Sequence, residues 1–175
     1  MTITTTPAPV SIDTSPAFEH SCVETAVFPV GANRAYEALL DLSQWERLLP
    51  HILRIDVAYD DGQYQEFWMT VKAETDGKPL TVRSVRNCTR GTIEFFQPAP
   101  PAFLRHHGGI WRFTPRGDAE TEVRITHVWN LHPEQAAATF PADEEGTTAE
   151  KVTRTLAGHS RITLRTWQSI LAGED

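Results

Sequence analysis

Thr121-Glu122-Val123-Arg124-Ile125-Thr126-His127-Val128-Trp129-Asn130-Leu131 alternates. Val123, Ile125, Trp129 and Leu131 share one parity with His127. Glu122, Arg124, Thr126 and Asn130 take the other, with Val128 the one apolar exception. Period-two alternation predicts a strand with one buried face. It also sets an imidazole in the middle of that apolar face. A buried polar group left unpaired costs about 1–3 kcal/mol, so His127 needs a partner or a use. The plainer reading is a core histidine bonded to a carbonyl or hydroxyl. The other is a group that moves protons near neutral pH.

Working outward, Arg116-Gly117-Asp118 is a turn that joins this strand to residues 104–115, where His107, Trp111 and Phe113 share a parity. Further strands are expected at residues 18–28, 53–59, 63–73, 79–88 and 92–97. In residues 63–73, Phe67, Met69 and Val71 lie on one side. Asp76-Gly77 is a hairpin signal, and Pro98-Ala99-Pro100-Pro101 is a stiff corner. Seven strands with mostly hairpin-length links predict an antiparallel sheet. After the first strand, residues 32–42 have helical spacing. Ser43-Gln44-Trp45-Glu46 has the pattern of a capping box opening a second short helix, which Pro50 stops. Residues 132–146 read as an acidic loop with one helical turn at 134–138. Residues 148–171 form the longest helix, with Leu156, Ser160, Leu164, Trp167 and Leu171 in one stripe. The class is α+β: a curved seven-stranded antiparallel sheet wrapped around one long C-terminal helix. A gap between helix and sheet would be a deep, mostly apolar pocket.

A chain of 175 residues reads as one domain over residues 17–173, preceded by a flexible tail rich in Thr, Ser and Pro over residues 1–16. No apolar run is long enough for a membrane span, and no secretory signal precedes the first strand, so a cytoplasmic protein is expected. Cys22 and Cys88 are expected as free thiols. A net charge of −7 opposes general nucleic-acid binding. No phosphate loop, dinucleotide fingerprint or nucleophile elbow is present, and nothing asks for a cofactor.

Arg86 shares its parity with Leu80, Val82 and Ser84 and so should face the interior with His127. A buried guanidinium stays charged and suits a carbonyl, enolate or carboxylate; the alternative is an arginine reaching solvent or a glutamate. Phe67, Met69, Trp111, Phe113 and Trp129 are candidates to line the pocket, or simply core. His106-His107 is a poor metal pair, because neighbours on a strand face opposite ways; His107 is a pocket candidate and His106 is expected outside, so no metal is expected. Ser160 lies on the helix stripe. Arg154, Arg161 and Arg165 share a helix face, and Arg105 and Arg112 flank the Gly108-Gly109 strand; either set is a candidate dock for an acidic partner.

The order of elements resembles the START/Bet v1-like helix-grip fold. Phe18-Glu19-His20-Ser21, Trp45, the region through Asp76-Gly77 to Ser84-Val85-Arg86, Gly108-Gly109-Ile110-Trp111 and Thr126-His127 resemble bacterial type II polyketide aromatase/cyclases. That resemblance implies a regiospecific aldol cyclisation and dehydration of a poly-β-ketone carried on an acyl carrier protein; the sequence leaves monomer and homodimer both open. It implies that Arg86 and His127 act in the pocket. It also marks two departures. Relatives with the histidine often carry an acidic residue on the last helix where this chain has Thr163. Some carry a tyrosine near the second helix, where this chain has His51-Ile52. The same fold also holds hydrophobic ligands such as lipids or quinones without turnover, which is the rival expectation.

Overall fold

The computed structural model describes residues 18–72 and 78–173. The expected tail and the Asp76-Gly77 turn lie outside the described residues. Seven strands form one antiparallel sheet in the order β1-β7-β6-β5-β4-β3-β2. They are β1 (His20–Phe28), β2 (Ile52–Asp60), β3 (Tyr64–Val71), β4 (Leu80–Thr89), β5 (Thr92–Ala99), β6 (Leu104–Pro115) and β7 (Thr121–Leu131). From β2 to β7 the strands form a meander. β1 then pairs with β7, from Phe28 opposite Thr121 to His20 opposite Trp129. The chain thus crosses from one sheet edge to the other between β1 and β2. α1 (Ala32–Leu40) and α2 (Trp45–Leu48) occupy that crossing, α3 (Pro133–Thr139) follows β7, and α4 (Thr148–Ala172) packs on β1 and β7.

Local chemistry explains where the helices start and stop, and corrects three expectations. α1 ends at Leu40, because Asp41 caps a single 3-10 turn: its Oδ1 accepts from Ser43 N at 3.0 Å and Ser43 Oγ at 2.6 Å. With its hydroxyl taken by Asp41, Ser43 forms no capping box with Glu46, whose Oε2 instead accepts from Ile55 N at 3.1 Å. The capping box lies at α4, where Glu150 N donates to Thr147 Oγ1 at 3.2 Å and Thr147 N to Glu150 Oε2 at 2.8 Å. The turn expected at residues 134–138 is longer, because Pro133 opens α3 at its first position, where its missing N–H is not needed.

The interior is two dry clusters rather than one. The larger joins α1, the middle of the sheet and the C-terminal half of α4, through Phe28, Leu39, Phe113, Ile125, Leu164 and Trp167. The smaller joins Leu104, Trp129, Phe140, Val152 and Leu156. The same division runs through single elements. Along β7, Val123 and Ile125 belong to the larger cluster and Trp129 to the smaller, with His127 between them. Along α4, Val152 and Leu156 belong to the smaller and Leu164, Trp167 and Leu171 to the larger, with buried Ser160 and Thr163 between the two groups. On both elements the polar inner-face residues His127, Ser160 and Thr163 therefore fall at one level, between the two clusters. Cys22 and Cys88 are free thiols, and among the described residues no helix is long and apolar enough to cross a membrane.

Candidate active site

A cavity of about 160 Å³ lies at that polar level. Arg86 and His127 both line it, as do Phe67, Met69 and Ser84. His107 and Trp111 reach it from β6, and Ser160 and Thr163 from α4. Two expected wall residues do not. Phe113 packs edge-on against Tyr36 at 5.6 Å beneath α1, and Trp129 is fully buried in the smaller cluster, stacked on His20 at 5.8 Å. Both have the parity of the wall, but they lie on either side of the polar level, within the dry clusters. His106 is exposed on the outer face, 3.4 Å from Asn130 Nδ2.

Strand register puts the two principal side chains in one row. Arg86 pairs with Phe95, Phe95 with Gly109, and Gly109 with His127. Directly paired residues face the same side of a sheet, so all four face inward. Three strand spacings separate Arg86 from His127, about 14 Å between Cα atoms. Phe95 stands between them, its ring edge-on to His127 at 5.4 Å and to His107 at 5.8 Å. Gly109 makes room for it: a Cβ there would come 2.7 Å from the Phe95 ring and 2.1 Å from the Thr126 carbonyl oxygen.

Arg86 is 5% exposed and has no carboxylate partner among the described residues. One Nη donates to the Leu39 carbonyl at 2.8 Å, and the guanidinium lies over the rings of Trp45 at 5.3 Å and Phe67 at 5.8 Å. Its Nε has no hydrogen-bond partner, and neither has Trp45 Nε1. Burial lowers its pKa, opposed by Cys88, yet an arginine keeps its charge in a protein. Arg86 and Trp45 thus stand together on the cavity wall, each with one buried N–H left without a partner.

His127 is half-buried and hydrogen-bonded through Nδ1 to His107 Nε2 at 2.9 Å. His107 Nδ1 contacts Gln97 Oε1 at 2.7 Å, and Gln97 Nε2 reaches Ser84 Oγ at 3.3 Å. Burial, with His159 nearby, pulls His127 down to about 4. Burial and then His127 hold His107 well below its usual value. The two departures on α4 and after α2 meet each other: Thr163 Oγ1 is 3.2 Å from His51 Nε2. Burial, His159 and Lys72 lower His51 to about 4, and its Nδ1 has no partner. The Ser160 hydroxyl is turned back to the Leu156 carbonyl at 3.0 Å. Among the described residues no three His, Cys, Asp or Glu side chains group so as to hold a metal ion.

Sequence reasoning passed over Gln97 and Phe95, which are cavity residues. The available signal was parity: both lie in step with buried Ile93 along β5, and a glutamine on a buried face has to bond to something.

The family model described as "Polyketide cyclase / dehydrase and lipid transport" matches residues 28–153. The chain belongs to that family. Among solved structures, this polyketide cyclase/dehydrase family member is similar to the di-domain ARO/CYC BexL from the BE-7585A biosynthetic pathway. The two are 26% identical with a TM-score of 0.77, over 89% of this chain and 51% of BexL. The di-domain ARO/CYC StfQ from the steffimycin biosynthetic pathway is 24% identical, TM-score 0.75, over 85% of this chain and 50% of StfQ. The Zhui aromatase/cyclase from Streptomyces sp. R1128 is 18% identical, TM-score 0.71, over 87% of this chain and 93% of Zhui. The chain thus spans about half the length of the two di-domain proteins. Neighbours that include a START superfamily protein from Mycobacterium smegmatis carry the same helix-grip fold, at 11% identity and a TM-score of 0.69. No curated protein matches the chain by sequence.

Proposed function

We propose that this protein is an aromatase/cyclase that takes a poly-β-ketone carried on an acyl carrier protein through a regiospecific aldol cyclisation and dehydration. One observation carries the reading: an imidazole and a guanidinium that has no salt bridge among the described residues line the same apolar cavity, in one row, on either side of Phe95. A chain bent over the Phe95 ring offers an oxygen to Arg86 and a methylene to His127. The cavity volume is about that which takes up a single benzene ring, which suits the enclosure of one ring as it closes.

The steps balance without a cofactor. His127 Nε2 takes a proton from a methylene between two carbonyls. The resulting enolate carbon attacks a carbonyl carbon further along the chain, and a C–C bond forms. The imidazolium returns its proton to the new alkoxide. A second proton leaves the ring carbon to His127 as the hydroxyl departs, and that proton completes the water lost. Arg86 stabilises negative oxygen on the enolate or alkoxide, the kind of contact worth about 10²–10³ in rate. Trp111, Phe67 and Met69 exclude water and set the bend of the chain. Burial, which pulls His127 down to about 4, keeps the ring neutral and able to accept a proton throughout the neutral range.

The test is product profiling with the synthase and carrier protein that supply the chain. His127→Ala and Arg86→Ala should each abolish the normal ring pattern. An unchanged pattern and yield from both would remove the assignment. The second reading, a carrier of hydrophobic ligands, is favoured by Thr163 standing where relatives often have a carboxylate. Native mass spectrometry of the purified protein separates the two: a retained lipid or quinone, with no turnover of any polyketide, supports the carrier.

A further inference from the structure

We propose that Gln97 and His107 are positioning residues that hold His127 in one tautomer, with its proton on Nδ1 and a bare Nε2 turned to the cavity. The inference rests on the reading of His127 as the base, and it follows from who can donate to whom. A glutamine oxygen only accepts. Gln97 Oε1 lies 2.7 Å from His107 Nδ1, so that nitrogen carries the hydrogen. A neutral imidazole has one N–H, so His107 Nε2 is an acceptor. The hydrogen of the next bond, at 2.9 Å, must then belong to His127 Nδ1. Nε2 is left as the lone pair available to a ligand. At the far end Gln97 Nε2 donates to Ser84 Oγ, a hydroxyl that can bond either end of the amide, so the direction of the row rests on Gln97 Oε1 facing His107.

The orientation of one amide thus decides whether His127 can accept a proton. If the Gln97 amide were turned over, every bond in the row would reverse. His107 Nε2 would donate, His127 Nδ1 would accept, and the cavity-facing nitrogen would carry a hydrogen and be useless as a base. The rings themselves are held. His107 and His127 lie nearly parallel, 17° apart with centroids at 5.1 Å, and Phe95 sits edge-on to both. The arrangement does for this imidazole what a carboxylate does elsewhere, orienting it without adding a charge. It also answers the absence of an acidic residue at Thr163: the orienting group comes from the sheet rather than the helix. The titratable and charged groups around His127 and its cavity are His107 on β6, Cys22 opposite it on β1, His159 on α4, His51 before β2 and Arg86 further along the row on β4. Burial, and then Glu24, push the Cys22 thiol up to about 11, so it brings no charge near neutral pH.

Long-range proton–nitrogen correlation on the ¹⁵N-labelled full chain at pH 7 reads the tautomers directly, with His127→Gln to assign the ring. His127 should be protonated on Nδ1 and His107 on Nδ1. Gln97→Leu frees His107 to turn over, and part of the His127 population should move to the Nε2–H form. Gln97→Glu, an isosteric acceptor that cannot donate, should keep the native pattern and raise the titration of the histidine pair by about one pH unit or more. With a polyketide substrate, Gln97→Leu should lower kcat at least tenfold with KM little changed. Gln97→Glu should restore kcat with the acid limb of the pH profile moved upward. A wild-type His127 protonated on Nε2, or a Gln97→Glu spectrum with the pattern reversed, would overturn the relay. Should Gln97→Leu fail to fold, the wild type and Gln97→Glu still decide it. If the tautomers are as expected but no variant cyclises any polyketide, the relay stands and the reading of His127 as a base falls.

Discussion

Arg86 is a buried cation with no salt bridge among the described residues: it donates to the Leu39 carbonyl, and Cys88 and Asp60 act on it electrostatically. A fold selected for stability alone would not keep such a group, because desolvating a charge without a partner is expensive. Its retention suits a ligand oxygen as the missing partner. Arg86→Met should therefore leave the urea midpoint equal or higher while cyclisation falls about 100-fold or more; a clear loss of stability would mean that the guanidinium is a structural strut. The histidines make a second case at this scale. His51 and His127 titrate near 4 when folded, and His107 also lies below its usual value, against about 6.5 in an unfolded chain. From about pH 6.5 down to about 4 the unfolded chain therefore binds more protons than the folded one. Stability is complete above that window and is lost as the pH falls through it, at up to about 1.4 kcal/mol per pH unit for each histidine. Urea midpoints at pH 7 and pH 5 check this, and equal midpoints would contradict neutral buried imidazoles.

Elements show why single letters mattered. α4 carries one buried stripe, but Ser160 and Thr163 make it polar where the helix passes the cavity, so the helix closes two hydrophobic clusters and roofs the polar level between them. Its start depends on the Thr147–Glu150 capping box, far in sequence from His127. Thr147→Ala should lower stability by about 1 kcal/mol and leave the product pattern unchanged. Gly109 on β6 is the opposite kind of position. A methyl there would meet the Thr126 carbonyl oxygen at 2.1 Å, a backbone atom that cannot step aside without parting β6 from β7 beside His127. Gly109→Ala should cost about 1–3 kcal/mol, the range for overpacking, and disturb the His107–His127 bond. Chemical denaturation together with the imidazole nitrogen spectrum would show both effects, and a neutral substitution would mean that Phe95 does not need that space.

At the scale of the molecule, the cavity exists because the inner face was not filled. Two hydrophobic clusters supply the burial that stabilises the chain, and the level between them is left to polar side chains that bond mainly to one another. A ligand that fits there adds stability by mass action. A phenol at 100 times its Kd should stabilise by about 2.7 kcal/mol, which for a chain of this size is roughly 5–10 °C in Tm. Arg86→Met should lose most of that shift if the hydroxyl oxygen meets the guanidinium. A thermal scan with and without ligand measures it, and a shift the same in both proteins would locate the ligand elsewhere.

Periodicity in the sequence was enough to determine which residues face inward. Alternation along β7 placed His127 on the buried face, parity along β4 did the same for Arg86, and the stripe on α4 named the helix that covers them. Those patterns are local, a matter of neighbours one, two and four residues apart, so a chain read alone displays them. Height along the sheet is different, because it depends on register between strands. Trp129 and Phe113 have the same parity as His127 and Trp111 but lie above and below the cavity, and no local pattern distinguishes the two cases. Nor does any local pattern bring Gln97 to His107, or Thr163 to a histidine 112 residues earlier. Tertiary structure alone decided those meetings, because each depends on where β5, β6 and α4 come to rest against one another, and hydrogen bonds act only between atoms already within about 3 Å.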